Sequence, residues 1–410
     1  MDYDVTIIGA GPTGSMMAEA LAKDGHSVLI LEEHPEVGLP QHCTGKISVN
    51  ALMELNLKPM GVLQEVRGAT FYSPNMESFT IKRDTTQAYI LDRRIFDSWL
   101  SNRAVKAGAR LITNARAIGV SVSSTGVDVD FRCESNSQRV TARMIVGADG
   151  ANSSVAHWLG LYSKEPDGMK MGVQREVMGI HDVEPDVVEL YFGRRYAPGF
   201  FAWIVPIGND EARVGLCMNI HSAKPALKYL DRFIYNHPIA CEKLKGCLLK
   251  EPNAHIIPTG GPLQKTVSDG VIIVGDAAGQ VKSTTGGGLY YGMLCATIAG
   301  KNLSKALRAS KTGIIRKKAL VEYQRLWKRK LGREIAISVR ARVFLDSLTD
   351  DEVAYLFKIL QEDDFLKEKI EVEGDIDWQS RITRPILKYL LKRVARRPNI
   401  LYKLGKSLLT

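Results

Sequence analysis

The stretch Gly9-Ala10-Gly11-Pro12-Thr13-Gly14 has the spacing G-x-G-x-x-G and stands between a short apolar run and a helical pattern. The apolar run covers residues 4–9 and predicts a buried parallel strand, and the helical pattern runs from Pro12 to about Asp24. In such a turn the first glycine permits the tight bend, the second lets a pyrophosphate approach the backbone, and the third lets helix and strand pack closely. The stretch therefore predicts a strand–turn–helix that binds a dinucleotide.

An acidic residue completes this motif. Residues 27–32 predict a second strand, and its last residue, Glu32, lies eighteen positions beyond Gly14. A carboxylate at that place can accept hydrogen bonds from a ribose, and Glu33 beside it is a further candidate. Strand, turn, helix, second strand and acid in this order favour a nucleotide site over a simple glycine turn.

Two later turns carry the same kind of chemistry. Two predicted buried strands, at residues 143–150 and 271–276, end in the turns Gly147-Ala148-Asp149-Gly150 and Val274-Gly275-Asp276-Ala277-Ala278, and each turn places an acid next to glycine. A carboxylate at the carboxyl end of a strand can bind a ribose or ribitol hydroxyl, although each turn alone is also compatible with a plain turn. Together with the first motif they resemble a flavoprotein family that includes aromatic hydroxylases, halogenases and geranylgeranyl reductases. The resemblance implies FAD as the cofactor, with Asp276 contacting its ribitol chain and Asp149, Gly150 and Gly275 among its other contacts.

The segment after the second of these turns narrows the resemblance. Residues 279–292 contain Gly286-Gly287-Gly288 and then predict a helix. Glycines before a helix allow flat contact with an isoalloxazine ring, and the helix N-terminus can stabilise negative charge on the reduced flavin. This segment closely resembles archaeal geranylgeranyl reductases, whereas aromatic hydroxylases more often carry a histidine there and lack the triple glycine. Ser283 departs from the family, which often has proline. The resemblance implies that Tyr290 and Tyr291 line the substrate pocket.

Three shorter segments resemble the same family. Pro40-Gln41-His42-Cys43-Thr44-Gly45 resembles its C-x-G loop, which implies that Cys43 and Gly45 lie near the flavin and that Cys43 tunes it or assists proton delivery. Residues 92–97 resemble its R-x-x-F-D helix, which implies that Arg93 lies near FAD. Residues 201–206 resemble its Y-x-W-x-F-P strand, which implies a substrate pocket lined by Phe201, Trp203 and Val205. Each also has a structural interpretation that stays open. Cys43 could be a small buried residue, and Arg93 could be a surface cation of an amphipathic helix. The alternating side chains of Phe201, Trp203 and Val205 could form the core face of a strand.

The order of these patterns predicts an α/β fold: a FAD-binding Rossmann-type, three-layer domain, an inserted antiparallel sheet and a helical C-terminal region. Runs at 186–192, 200–206 and 212–220 predict strands of the inserted sheet, and a helical piece follows at 224–246. The predicted FAD-binding domain is discontinuous and comprises residues 1–65, 90–160 and 262–300. The predicted substrate domain comprises 66–89 and 161–261, and the helical region comprises 301–410.

The net charge of +10 is concentrated in the C-terminal tail. Residues 381–410 contain nine Lys/Arg and no acidic residue, which leaves about +1 for the preceding 380 residues and argues against nucleic-acid binding. Leucines recur at helical spacing among these cations and predict a basic amphipathic helix; they are Leu387, Leu390, Leu391, Leu401, Leu404 and Leu408. Such a helix can lie on an anionic membrane surface or dock on the protein body, and both alternatives stay open.

Cysteine usage and hydropathy limit the class of protein. The six cysteines include no C-x-x-C pair, which argues against zinc and iron–sulfur sites and predicts reduced thiols, with a Cys241–Cys247 disulfide as the alternative. No apolar run reaches the ~18–20 residues of a membrane-spanning helix, and the start predicts no secretory signal. We therefore expect a cytoplasmic protein, with peripheral contact at the inner face of the cell membrane through its tail.

The function that the resemblance implies is FAD-dependent saturation of isoprenoid C=C bonds in geranylgeranyl chains of archaeal membrane lipids or their precursors. The expected partners are a prenylated lipid substrate and a redox partner protein. No second dinucleotide fingerprint occurs, so the electron donor stays open between transiently bound NAD(P)H and ferredoxin. Two alternatives stay open: a flavin-dependent monooxygenase or halogenase that uses NAD(P)H and O₂, and a flavoprotein that passes electrons to a membrane quinone.

Overall fold

A computed structural model of the protein describes residues 1–134, 136–162, 168–222, 224–310, 312–382, 386, 393–394 and 397–409. Its strands are β1 Tyr3–Ile8, β2 Val28–Leu31, β3 Lys46–Ser48, β4 Val62–Val66, β5 Gly68–Tyr72, β6 Ser78–Lys82, β7 Ala88–Leu91, β8 Arg110–Ile112, β9 Ala115–Val122, β10 Val127–Cys133, β11 Asn136–Gly147, β12 Met169–Met178, β13 Val187–Phe192, β14 Phe201–Pro206, β15 Glu211–Asn219, β16 Leu248–Leu249, β17 Asn253–Pro258, β18 Val267–Ser268 and β19 Val271–Ile273. Its helices are α1 Pro12–Lys23, α2 Val49–Glu54, α3 Arg93–Lys106, α4 Ser154–Trp158, α5 Ala226–Asn236, α6 Ala240–Lys243, α7 Leu289–Ala309, α8 Lys317–Trp327, α9 Arg333–Ser347, α10 Asp350–Glu362, α11 Asp364–Glu373 and α12 Pro398–Leu409. A 3₁₀ turn covers Gly275–Ala278, and a π-helical turn, Lys328–Gly332, joins α8 to α9.

The chain forms two compact units. Unit 1 comprises Met1–Gln41, Asp92–Glu165 and Gly260–Ile335, and unit 2 comprises His42–Leu91, Pro166–Thr259 and Ala336–Thr410. Residues 42–65, which the sequence assigns to the FAD-binding domain, fall in unit 2 because β3 and β4 both pair with β7. Residues 301–335 fall in unit 1, where α8 packs against α7. The division into functional domains stays a prediction.

Unit 1 is built on a sheet with the strand order β18-β19-β11-β1-β2-β8. β1 pairs in parallel with β2 and β11, and β11 pairs in parallel with β19. All four residues of β2 are buried, as expected for a parallel strand that is covered on both faces. Because parallel strands end at the same edge of a sheet, the turns that begin at Gly9, Glu32, Ala148 and Val274 follow one another along that edge.

Three elements of the structure differ from the sequence prediction. β11 begins at Asn136 rather than at 143, because its first half pairs antiparallel with β10. The predicted strand 271–276 ends at Ile273, because the chain turns into the 3₁₀ segment at Gly275, which has φ +72°. The predicted helix 224–246 is split into α5 and α6, because Pro238 disfavours a helical conformation of the residue before it.

Unit 2 contains a larger sheet with the strand order β16-β12-β15-β14-β13-β5-β6, and β17 also pairs with β12. The strands pair antiparallel except β13 and β5, which are parallel. Side chains alternate between the two faces of a strand. On β14, Ala202 and Ile204 pack in a core cluster with α5, whereas Phe201, Trp203 and Val205 belong to a second apolar cluster.

Helices α9 to α12 form most of the C-terminal part of the chain. The predicted α/β class, with an antiparallel sheet and a helical C-terminal region, is confirmed. Cys241 and Cys247 are free thiols, and the thiol of Cys247 donates to the carbonyl oxygen of Gly179 at 3.2 Å. Within the described ranges, no helix is long and apolar enough to cross a membrane.

Candidate functional site

The glycine-rich turn after β1 leaves open space at one glycine and none at two others. Gly9 has φ +100°, and a Cβ there would lie 2.5 Å from the carbonyl oxygen of Ala148. A Cβ on Gly14 would lie 2.0 Å from the carbonyl oxygen of Gly9, so α1 can approach β1 this closely only with glycine at that position. A Cβ on Gly11, in contrast, would meet nothing within 4 Å. This open space is where the pyrophosphate of a dinucleotide fits.

The start of α1 is suited to bind that anion. The N-cap residue is Gly11, so no N-cap side chain occupies the helix N-terminus. Pro12 begins the helix, and the first turn has no acidic residue that would repel an anion. Backbone N–H groups in the first turn of a helix have no acceptor within the helix, and the helix dipole favours negative charge there. The residues present therefore fit the pyrophosphate of FAD.

Glu32 lies at the side of the same turn. Its Oε2 accepts a hydrogen bond from the N–H of Ala10 at 2.8 Å, and its Oε1 accepts one from the N–H of His34 at 3.0 Å. A carboxylate has about four lone-pair sites, so Glu32 can hold this turn and still accept from a ribose hydroxyl. Glu33 is half-exposed and lies 3.6 Å from Arg116 in an ion pair.

Thr13 joins the first turn to the later glycine-rich segments. A Cβ on Gly275 would lie 2.8 Å from Oγ1 of Thr13, and a Cβ on Gly292 in α7 would lie 2.5 Å from the same atom. Glycine at both positions thus lets α1 contact the 3₁₀ turn and α7. The structure therefore brings the first motif, the Asp276 turn and the start of α7 together within unit 1.

Asp276 lies where the 3₁₀ turn meets the triple glycine. Its Oδ1 would be 2.2 Å from a Cβ on Gly288, so only glycine leaves room for this carboxylate. Gln280 fixes the turn: its side-chain oxygen accepts from the N–H of Gly275 at 2.8 Å, and its amide donates to the hydroxyl of Tyr323 at 3.0 Å. Asp276 itself is partly exposed, as a carboxylate that binds a ribitol hydroxyl needs to be.

The segment before α7 is a tight turn. The N–H of Gly286 donates to the carbonyl oxygen of Lys282 at 2.8 Å, and the N–H of Lys282 donates to the carbonyl oxygen of Gly287 at 3.1 Å. Gly286 has φ +73°, so this turn favours glycine there, and a Cβ on Gly287 would lie 2.8 Å from Cε of Lys282, so a larger residue would require that side chain to move. Tyr290 and Tyr291, at the start of α7, are buried.

Asp149 and Arg93 are engaged by neighbours in their own segments. The carboxylate of Asp149 accepts from the hydroxyl of Ser153 at 2.6 Å and from the N–H of Val155 at 3.1 Å, which favours the plain-turn alternative for this residue. Arg93 donates to both carboxylate oxygens of Asp97, at 2.7 and 2.6 Å. Burial raises the pKa of Asp97, and the Arg93 guanidinium opposes that shift. Contact of Arg93 and Asp149 with FAD stays a prediction.

The loop that carries Cys43 lies in unit 2 and is fixed by backbone contacts. The N–H of Gly45 donates to Sγ of Cys43 at 3.3 Å, and the N–H of Leu91 donates to the carbonyl oxygen of Gly45 at 3.0 Å. Gly45 has φ +76°, and a Cβ there would lie 2.2 Å from the carbonyl oxygen of Leu91. The Cys43 side chain is partly exposed. This thiol is therefore held in a defined place without being enclosed.

The predicted pocket residues of β14 lie in an apolar cluster of unit 2. Phe201, Trp203 and Val205 share it with Cys217 of the neighbouring strand. The Trp203 ring lies across Gly215, where an added Cβ would be 2.6 Å from the ring. Its indole N–H has no hydrogen-bond partner among the residues that the structure describes. The cluster fits the core-face interpretation, and a role in a substrate pocket stays a prediction.

Comparison with known proteins identifies the family. A family model described as a FAD binding domain matches residues 2–317. The chain is 33% identical over 416 residues to digeranylgeranylglycerophospholipid reductase 2 of Methanopyrus kandleri, with 100% of each chain covered. The chain belongs to the digeranylgeranylglycerophospholipid reductase family. The predicted FAD-binding fold and the prediction of an FAD-dependent oxidoreductase are confirmed.

Solved structures agree with this assignment. The reductase resembles the crystal structure of a geranylgeranyl bacteriochlorophyll reductase-like protein from Thermoplasma acidophilum, with a TM-score of 0.83, 26% identity and 99% of each chain covered. It also resembles the flavin-dependent brominase Bmp2, with a TM-score of 0.70, 18% identity, and 95% and 99% of the two chains covered. At that identity the second likeness shows the fold alone, so it does not favour the halogenase alternative.

The described part of the tail packs on other helices of unit 2. Val394 and Ile400 are buried in an apolar cluster with Ile359 and Leu366, and Leu404 is also buried. These contacts favour the docking alternative for that part of the tail. Tyr402 and Leu408 are exposed, at 73% and 49%. The predicted positions Leu387, Leu390 and Leu391 lie outside the described residues.

The predicted site residues omit three polar side chains that contact the predicted site segments. Asp97 has a readable signal, because it stands four residues after Arg93 on the same helix. Gln280 directly follows the glycine that ends the 3₁₀ turn, which is a weaker signal, and its full burial is seen only in the structure. Arg213 contacts the Cys43 loop from 169 residues away, and no local pattern indicates this.

Proposed function

We propose that this protein reduces isoprenoid C=C bonds of geranylgeranyl chains in archaeal membrane lipids or their precursors. The observation that carries the proposal is the full-length similarity to a digeranylgeranylglycerophospholipid reductase. The nucleotide site of unit 1 supports it, because the open space at Gly11 and the turn at Asp276 suit FAD.

The residues have separate tasks in this proposal. When bound and reduced by the electron donor, FAD would supply the hydride that adds to one alkene carbon, and a proton must reach the other. The N-terminus of α1 binds the pyrophosphate, Asp276 binds the ribitol chain, and Gly286–Gly288 let the flat ring approach the start of α7. An unactivated alkene offers no carbonyl to polarise, so a positioned proton donor and a dry pocket matter most. We assign Cys43 to tuning the flavin or assisting proton delivery, and Phe201, Trp203 and Val205 to the apolar pocket wall.

The electron donor is proposed as NAD(P)H that binds transiently, or as a ferredoxin acting as the redox partner protein. The single G-x-G-x-x-G motif of the chain supports this, because a second nucleotide has no fingerprint of its own. Steady-state reduction of the holoenzyme by NADH, NADPH and reduced ferredoxin, compared under nitrogen, would identify the donor.

We also propose peripheral membrane contact on the cytoplasmic side. The nine cations of residues 381–410 and the exposed side chains of Tyr402 and Leu408 support it. The buried side chains of Val394, Ile400 and Leu404 limit it to the outward face of the tail.

The test of the central proposal is a single-turnover reaction. The holoenzyme is reduced with dithionite under nitrogen, mixed with a digeranylgeranyl phospholipid, and followed by flavin absorbance and by mass spectrometry of the lipid. We expect the oxidised flavin spectrum to return while the lipid gains one hydrogen pair for each saturated bond. A matched lipid with saturated chains should leave the flavin reduced. An unchanged prenyl lipid, together with rapid reoxidation by O₂ or by a quinone, would instead support the monooxygenase or electron-transfer alternative.

A further inference from the structure

Arg213 is a fully buried cation on β15 of unit 2. Its side chain is 2% exposed, and it stands two residues before Gly215, on the sheet face that also carries Trp203 of β14. Removing a guanidinium from water is costly unless hydrogen bonds and an opposite charge replace the water. The partners of Arg213 therefore indicate what this cation does.

Two of these partners are carbonyl oxygens next to Cys43. Nη1 of Arg213 donates to the carbonyl oxygen of Thr44 at 2.9 Å and to that of Leu91 at 3.2 Å. The same Nη1 would be 3.1 Å from a Cβ on Gly45. One guanidinium nitrogen thus ties the Cys43 loop to the end of β7, at the point where Gly45 and Leu91 also share a backbone hydrogen bond.

The other side of Arg213 is anchored on the sheet. Its Nε donates to Oε1 of Glu176 on β12 at 3.2 Å, and Oε2 of Glu176 accepts from Lys250 at 2.9 Å. Glu176 and Arg213 are direct cross-strand partners. The pair is held in place by the sheet itself, so the guanidinium projects from a rigid base to a loop.

A second contact attaches the same loop to the sheet. The rings of His42 and His255 stack with their centroids 3.9 Å apart and an interplanar angle of 16°. His255 lies on β17, which pairs with β12. The loop is therefore in contact with the sheet on both sides of Cys43, through His42 before it and Thr44 after it.

We propose that Arg213 is a positioning residue for Cys43: through Thr44 it sets where the thiol stands during turnover. This rests on the proposed role of Cys43 in turnover, and it adds a residue that the sequence motifs do not contain. Without the Arg213 bonds, the carbonyl oxygens of Thr44 and Leu91 lose a charged donor, and the loop loses the one of its two described contacts with the sheet that follows Cys43.

The test combines Arg213→Met with a measurement on the thiol itself. The alkylation rate of Cys43 by iodoacetamide is followed in the resting holoenzyme by mass spectrometry of the tryptic peptide that spans residues 24–46. We expect the rate to change by about fivefold or more, because a restrained loop becomes mobile. Cys241, which lies in another tryptic peptide, serves as the internal control and should react as in the wild type. Flavin content should also stay unchanged.

The matched control variant is Arg175→Met. Arg175 lies on β12 between Gln174 and Glu176, and it forms an ion pair with Asp231 of α5 at 3.7 Å. Successive side chains of a strand point to opposite faces, so Arg175 lies on the face opposite to that of Glu176 and Arg213. The variant therefore removes an arginine from the other face of the same sheet. We expect wild-type alkylation of Cys43 in this variant. Arg213→Lys should recover part of the wild-type behaviour, and it also serves if the methionine variant does not fold.

Turnover provides the second readout. In single-turnover reduction of the prenyl lipid, Arg213→Met should lower the rate about tenfold, which is the order of one hydrogen bond to a charged group. In a Cys43→Ala background the same substitution should add no further loss, because coupled residues are not additive. Additive losses, or unchanged alkylation of Cys43 in the folded methionine variant, would overturn the proposal. If Cys43→Ala turns over like the wild type while Arg213→Met alters the alkylation of Cys43, Arg213 restrains the loop but Cys43 takes no part in the reaction. That result would overturn the positioning role in turnover.

Discussion

Gly11 offers a substitution that separates cofactor binding from folding. Its φ of −60° and ψ of 175° are open to any L residue, and an added Cβ meets nothing within 4 Å. The Cβ of a valine at this position therefore introduces no clash within the protein. Replacing glycine where the conformation is compatible stabilises a fold by about 0.4–1 kcal/mol through the unfolded chain. Glycine is also preferred to valine at the N-cap position that Gly11 occupies, which opposes this gain, so we expect the free energy of unfolding of the apoprotein to change by about 1 kcal/mol or less.

The same substitution should weaken FAD binding by more than it changes the stability of the apoprotein. A branched side chain at Gly11 occupies the open space beside the N-terminus of α1, where the pyrophosphate fits. A hydrogen bond from the backbone to a charged phosphate is worth about 1.5–3 kcal/mol. Loss of two such bonds costs about 3–6 kcal/mol, which raises the dissociation constant of FAD by about 10²–10⁴-fold. The purified Gly11→Val protein should be colourless.

The assay measures both quantities on the same protein. FAD affinity is obtained by titrating the apoprotein and following quenching of flavin fluorescence, and stability is obtained by urea unfolding of the apoprotein. Gly119→Val is the matched control, because a Cβ there would make ordinary contact with Asp130 at 3.7 Å, and it should keep FAD. Gly14→Ala is the contrasting variant: its Cβ would lie 2.0 Å from the carbonyl oxygen of Gly9, so it should destabilise the apoprotein itself. A yellow, stoichiometrically loaded Gly11→Val protein would refute the placement of the pyrophosphate.

Three further predictions follow from named side chains. Cys43→Ala should keep its FAD but reduce the prenyl chain more slowly or less completely; product distribution by mass spectrometry checks this, and wild-type products would return Cys43 to a structural role. Burial lowers the pKa of His237 to about 4, and the N–H groups of Ile239 and Ala240 donate to its Nδ1. The unfolded chain therefore binds a proton at this histidine more readily than the folded protein does. The free energy of unfolding should fall by about 2–3 kcal/mol as the pH drops from about 6.5 to 4. Urea unfolding over this pH range checks the prediction, and His237→Asn should make the profile flatter there. Deletion of residues 381–410 should reduce salt-sensitive sedimentation with anionic liposomes at unchanged FAD content; aggregation or flavin loss would support docking, and unchanged liposome binding by a folded truncation would exclude the membrane role.

The glycine-rich turns of the candidate nucleotide site could be predicted from sequence because their determinants are local. The G-x-G-x-x-G turn, the G-D-A-A turn and the triple glycine each encode a backbone conformation or a close approach within a few residues. Gly14, for example, is required by the carbonyl oxygen of Gly9, five residues away. Parallel pairing of β1 with β2 and β11 then places the turns at one edge of the sheet, as the alternation of strands and helices predicted. Segment boundaries are less predictable where pairing in a hairpin extends a strand beyond its apolar run, as β10 extends β11.

The basic tail shows what the helical spacing of apolar residues cannot predict. Helical spacing of apolar residues indicates that one face of a helix is apolar, but it does not tell which surface covers that face. In the structure, Val394 and Ile400 pack against residues of α10 and α11, so part of the face is covered by the protein. The covering residues lie some thirty positions earlier, and nothing in the tail encodes them.

Buried charged residues are the feature of this protein that is hardest to predict from sequence, and the contacts of the Cys43 loop show why. A lone arginine in a strand, such as Arg213, reads from sequence as an ordinary polar position that faces solvent. Its burial becomes acceptable only because Glu176, Thr44 and Leu91 converge on it from three separate segments of the chain. Each contact is long-range, so the energetic requirement is invisible until the fold is known. The sequence could thus name Cys43 from its loop motif, whereas the residue that holds that loop could be found only from the structure.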